Sequence, residues 1–97
     1  MTREETQLCI DGFKKILKCY ETDDRGVLNY YGYYHGICSM AYDLDHNQTV
    51  SLIRQYLREN LPAKRYRGFC WYPKSKKGRM NWLRKHIAKL ETELEKL

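Results

Sequence analysis

The sequence predicts a mainly α-helical, single-domain fold: a small bundle of about four helices over residues 1–97, with a basic, aromatic connector before the last helix. Three observations carry that expectation. Apolar residues near the amino end recur at helical spacing, those near the carboxyl end recur in heptads, and turn formers and Pro62 separate such stretches. The length of 97 residues suits one domain burying roughly 60 to 65% of its unfolded surface. With 42% hydrophobic and 31% charged residues, disordered and fibrous classes are excluded.

Residues 3–20 form the first expected helix, because Cys9, Phe13, Ile16, Leu17 and Tyr20 share one face. Glu4 and Glu5 near its start and Lys14, Lys15 and Lys18 toward its end match the helix macrodipole. The turn formers of Glu21–Gly26 close it. From Leu28 to Leu44, Tyr30, Tyr34, Ile37, Cys38, Ala41 and Tyr42 again fall on one stripe. Their neighbours come in pairs rather than in alternation, so a second helix is expected although Gly32 and Gly36 each cost about 1 kcal/mol there. Asp43–Thr49 is a connector in which Asn47 or Thr49 caps a third helix carrying Val50, Ile53, Leu57 and Leu61, and Pro62 ends that helix. In the last helix Met80, Leu83, Ile87, Leu90, Leu94 and Leu97 alternate spacings of three and four, a heptad seam running about 28 Å.

The net charge of +6 is unevenly distributed. No carboxylate occurs between Glu59 and Glu91, while Lys64, Arg65, Arg67, Lys74, Lys76, Lys77, Arg79, Arg84, Lys85 and Lys89 all lie in that gap. The rest of the chain is net acidic, so one region carries the positive field. Within Lys64–Arg79 the cations are interleaved with Tyr66, Phe69, Trp71 and Tyr72. Lysine and arginine side chains hold phosphates, and flat rings stack bases, each stacked base contributing about 1 to 3 kcal/mol. Phe69 and Trp71 are expected inward, as core anchors, and Tyr66 and Tyr72 partly outward; Trp82 either flanks the same mouth or packs on a neighbouring helix. "RGFCWY", Arg67–Tyr72, is superficially similar to an RNA-binding strand motif, but Pro73 and the helical flanks deny it the four-stranded sheet that motif needs.

The last helix places Arg79, Arg84, Lys85 and Lys89 in its first half and Glu91, Glu93 and Glu95 at its end, opposite to what the macrodipole favours. An anion at the helix start would compensate, and so would solvent screening of an exposed face. The same split favours antiparallel pairing of two copies along Met80, Leu83, Ile87, Leu90, Leu94 and Leu97, which makes a homodimer one arrangement of the seam. Packing against the first helix within one chain is the other.

Catalysis is not indicated. Phosphate-loop, metalloprotease and nucleophile-elbow motifs are absent, and Asp43, Asp45 and His46 read as capping and turn residues before they read as acid and base. Cys9, Cys19, Cys38 and Cys70 are spaced as free thiols. His35 with Cys38, and His46, Cys70 and His86, bring at most one close ligand pair, so no zinc site and no cofactor are expected. No apolar run approaches the roughly 18 residues of a membrane span, and "MTREETQL" has no apolar signal core. A cytoplasmic location is expected.

"CWYP" at Cys70–Pro73, "RMNWLRKHIAKLE" at Arg79–Glu91 and "GICSMAY" at Gly36–Tyr42 together resemble a pattern in small uncharacterised bacteriophage proteins, in which an aromatic-Pro element precedes R-x-x-W-L and a final amphipathic helix. The resemblance covers about half the chain and brings no catalytic residue. It implies host-cell cytoplasm and a role against bacterial defence, by binding a host defence protein or by sequestering a nucleotide signal. The residues and the resemblance point to a non-enzymatic binder of a phosphate-rich ligand, a signalling nucleotide or nucleic acid. Its expected contacts are Lys64, Arg65, Tyr66, Arg67, Trp71, Tyr72, Lys74, Lys76, Lys77, Arg79, Trp82 and Arg84. The alternative is a protein-interaction module docking its basic face on an acidic partner.

Overall fold

The computed structural model describes residues 1–22, 48–60, 66–67, 70–71 and 76–97. Their order is α1 (Arg3–Glu21), α2 (Gln48–Asn60), β1 (Tyr66–Arg67), β2 (Cys70–Trp71) and α3 (Lys76–Glu95). The mainly helical expectation holds. Three helices are described, and the helix expected over 28–44 lies outside the described residues.

The first helix starts where a capping box forces it to. Thr2 is the N-cap; its hydroxyl accepts from the Glu5 amide at 3.1 Å, and the Glu5 carboxylate accepts from the Thr2 amide at 2.8 Å. That backbone hydrogen bond, more than any other influence, holds the Glu5 carboxyl below its ordinary pKa. Thr2→Ala is expected to lower stability by about 1 kcal/mol, read as a shift of the urea midpoint at constant slope.

Thr49 lies inside α2, so of the two capping candidates only Asn47 precedes the helix, and Asn47 lies outside the described residues. The helix stops at Asn60, two residues before Pro62. Between α2 and α3 the chain forms a short antiparallel hairpin in which Tyr66 pairs with Trp71 and Arg67 with Cys70.

Three contacts set the direction of α3. Tyr20 meets Arg79, Glu21 meets Arg84 and Lys14 meets Glu91, so later residues of α1 meet earlier residues of α3. The two helices are antiparallel. Tyr56 and Asn60 of α2 meet His86 and Lys89 respectively, which makes α2 parallel to α3. The core between them comprises Cys9, Ile10, Phe13, Ile16 and Tyr20 from α1, Leu52, Ile53, Tyr56 and Leu57 from α2, and Leu83, Ile87 and Leu90 from α3.

The heptad seam is therefore used within the chain. Leu83 and Leu90 are fully buried and Ile87 nearly so, Met80 and Leu94 pack at the margin, and Leu97 is the seam residue that stays exposed. The pairing of two copies along this seam has no apolar surface left at its centre, because α1 covers it. Among the described residues no helix is long and apolar enough to cross a membrane.

Candidate functional site

The start of α3 is where the expected ligand contacts and the described residues overlap. The helix begins at Lys76, ahead of the expected heptads, and its first turn contains no acidic residue. Lys76 and Lys77 are exposed in that first turn. Lys64, Arg65, Tyr72 and Lys74 lie outside the described residues, as does Phe69. Tyr66, Arg67 and Trp71 are placed through their hairpin backbone alone.

Arg79 does not join the two lysines at the surface. It is 2% exposed, and its guanidinium donates to the Tyr20 hydroxyl at 3.1 Å. The reason is register: Arg79, Leu83, His86, Ile87 and Leu90 follow the i, i+4, i+7, i+8, i+11 pattern of one helix face, and that face is the buried one. Burial raises the Tyr20 phenol above its ordinary pKa, while the hydrogen bond from Arg79 acts in the opposite direction.

Trp82 also turns inward. Its ring meets Phe13 edge-on, with centroids 5.5 Å apart, and stacks on His86 at 4.2 Å. Of its two expected placements, packing on a neighbouring helix describes it. Arg84 is half-exposed and lies 3.5 Å from the Glu21 carboxylate of α1, and Lys14 of α1 lies 3.5 Å from Glu91. Such exposed pairs contribute about 0 to 1 kcal/mol each. Their arrangement nevertheless gives Arg84 and Glu91, two of the charges that run against the α3 dipole, partners on the antiparallel neighbour.

A buried polar pair, not anticipated from the sequence, lies deeper along α3. The Tyr56 hydroxyl is 2.5 Å from Nδ1 of His86, and the two rings meet edge-on. Lys89 bonds the Asn60 side-chain oxygen at 2.5 Å and lies 5.9 Å from the Tyr56 ring centre. Burial, with smaller contributions from Lys89 and then Lys85, pushes the His86 pKa down to about 4. Burial, then the nearby Glu93 charge, pushes the Tyr56 phenol up.

That pair predicts a pH dependence. An unfolded histidine protonates near 6.5, while folded His86 stays neutral until about 4, so the unfolded state binds the extra proton between those values. Stability contributed by neutral His86 is therefore complete above about 6.5 and is lost as pH falls toward about 4, amounting to at most about 3 kcal/mol. Urea unfolding at pH 7.5 and 4.5 measures it. His86→Gln should flatten the dependence, and an unchanged dependence in that variant would contradict the assignment.

Cys9 is buried and free, with its thiol pushed up to about 12 by burial, and Cys19 is half-buried. Cys9 is not a reactive nucleophile by environment. Among the described residues no group of three or more His, Cys, Asp or Glu side chains is placed to hold a metal ion. No protein-family model, curated protein or solved structure matches the chain.

Proposed function

We propose that the protein is a non-enzymatic binder of a phosphate-rich ligand, held by the start of α3 and the basic aromatic segment before it. The observation that supports this most is the pair of exposed lysines, Lys76 and Lys77, in an acid-free first helical turn. The two cations act there on the same anion, and the carboxylate-free stretch from 60 to 90 leaves the field undivided along the chain. Arg79 supports the site from beneath and does not touch the ligand; Arg84 reaches it by leaving Glu21, a pair weak enough to exchange. The aromatic contribution falls to Tyr66, Trp71 and Tyr72, since Trp82 is engaged by Phe13 and His86. The resemblance to small phage proteins makes sequestration of a nucleotide signal the biological form of this reading.

Calorimetry against duplex DNA, single-stranded RNA and a panel of cyclic and linear nucleotides at about 50 mM salt, where the electrostatic contribution is large, tests the proposal. Saturable one-to-one binding identifies a nucleotide, whereas stoichiometry that scales with strand length identifies a polymer. Lys76→Glu with Lys77→Glu should abolish either. If no phosphate ligand binds under these conditions the reading fails, and an acidic protein surface takes the ligand's place.

A further inference from the structure

The side of α3 opposite Leu83, Ile87 and Leu90 carries a low ridge with cations along both flanks. Asn81, Ala88 and Thr92 follow the i, i+7, i+11 pattern of one helix face, and all three are exposed. Their tops are small: the Thr92 hydroxyl is folded back onto the Ala88 carbonyl at 3.0 Å. Arg84 stands on the α1 flank, where it meets Glu21, and Lys77 lies two turns before it on the same side. Lys89 stands on the α2 flank, where it bonds Asn60, and Lys85 lies one turn before it. All four cations are exposed.

The carboxylates of α3 stay off that stretch. Glu91 is drawn to Lys14 of α1, Glu93 lies on the α2 side near Tyr56, and Glu95 comes only beyond Thr92. Among the described residues Lys77 and Lys85 are in no ion pair, and Lys89 is bonded to a neutral amide, so three of the four positive charges stand uncompensated there. From Lys77 to Lys89 is twelve residues, about 18 Å at helical rise, which matches about five steps of 3.4 Å along one strand of a duplex. A single nucleotide meets only part of such a face. Protein interfaces centre on large aromatic or aliphatic anchors, and this ridge offers none.

We infer that α3 lays this face in the major groove of duplex DNA, an inference that rests on the phosphate binding proposed above and selects among its ligands. The groove is about 12 Å wide and an α-helix with its side chains about 10 to 12 Å across, so a helix enters where its leading face is low. Asn81, Ala88 and Thr92 supply that low face. Phosphates border the groove on both sides, and the two pairs of cations, Lys77 with Arg84 and Lys85 with Lys89, stand on the two flanks to meet them. Arg84 does so by exchanging its weak exposed pair with Glu21. The side-chain amide of Asn81 both donates and accepts, as the major-groove edge of adenine requires. The major groove of A-form RNA is too deep and narrow to be read this way, so the partner is duplex DNA and not duplex RNA.

The test titrates the full chain into a short labelled DNA duplex, a duplex RNA of the same sequence and adenosine triphosphate, following anisotropy for the duplexes and calorimetry for the nucleotide. At about 50 mM salt, duplex DNA is expected to bind about tenfold or more tighter than duplex RNA. Lys85→Gln should weaken DNA binding and reduce the magnitude of its double-logarithmic salt slope by about 0.9, the contribution of one phosphate. Ala88→Phe keeps the charge and raises the ridge, so it should lower affinity for duplex DNA about tenfold or more. Both positions are exposed, and the urea midpoint of each variant checks that the fold is kept. Equal affinity for the two duplexes, or DNA affinity indifferent to Ala88→Phe, would overturn the inference. Binding of adenosine triphosphate without binding of duplex DNA would overturn it too and leave the proposed function standing, whereas binding of no phosphate ligand would overturn both.

Discussion

Phe13→Ala is expected to destabilise the protein by about 3 to 5 kcal/mol, the largest loss of any single core truncation here. Phe13 is fully buried on α1, and its ring lies edge-on to Tyr56 of α2, with centroids 5.6 Å apart, and to Trp82 of α3, at 5.5 Å. Through one side chain, all three helices meet. Alanine removes the ring from both aromatic contacts and leaves a void that Tyr56 cannot readily fill while its hydroxyl is tied to His86. A domain of this size has about 5 to 15 kcal/mol in total, so the variant should unfold at markedly lower urea and lose near-ultraviolet dichroism first. Lys18→Ala, on the exposed side of α1, provides the comparison and should change stability by less than about 0.5 kcal/mol. A Phe13→Ala loss below about 1 kcal/mol would mean that the aromatic cluster does not organise the core.

Arg79→Ala is expected to cost about 3 kcal/mol, in contrast with a near-neutral Lys77→Ala. The two residues are two positions apart on one helix, and both are cations. Arg79 is buried and bonds Tyr20, whereas Lys77 is exposed, so removing the first empties a packed site and removes a charged hydrogen bond across the α1 and α3 interface. Arg79→Lys should recover only part of the loss, since an ammonium lacks the planar guanidinium fork. Phosphate affinity should follow the opposite order when measured well below the unfolding transition: Lys77→Ala weakens it and Arg79→Lys leaves it nearly unchanged. If Arg79→Ala unfolds at wild-type urea while phosphate binding collapses, Arg79 is a ligand contact after all and its burial is irrelevant to stability.

Much of the helical content was legible because its signals are local. The stripe of Cys9, Phe13, Ile16 and Tyr20 reports a face that recurs every turn, and all four are buried. The T-x-x-E pattern at Thr2–Glu5, a local signal that the sequence reading passed over, marks the start of α1 through atoms three residues apart. Pro62 marks the end of α2 by steric exclusion of the helical conformation before it. Even the burial of Arg79 had a local signal, because it lies on the face of Leu83, Ile87 and Leu90. Its charge argued for the surface, and it was grouped with the other cations of the helix's first half instead of with that face.

The candidate site was less legible, for the same physical reason. Whether a cation contacts a ligand or holds the fold depends on what lies opposite it. Tyr20 and Arg79 are 59 positions apart, and Tyr56 and His86 are 30 apart. No periodicity within either helix specifies those meetings. The reversed charges of α3 read as an anion site along the chain. In space, Glu21 and Lys14 of the antiparallel neighbour take up Arg84 and Glu91, and Lys76 and Lys77 are exposed in its first turn.

By itself, then, the sequence determined that this chain forms amphipathic helices, where the described ones lie, and that its positive charge is gathered in one stretch. These are properties of spacing and composition, set by the helical repeat and by covalent order. Only the tertiary structure decided that the heptad seam packs on α1, that Arg79 is buried against Tyr20, and that Trp82 packs on Phe13 and His86. Each of these depends on which helix faces which, and that is settled by the joint burial of apolar faces contributed by residues distant in the chain.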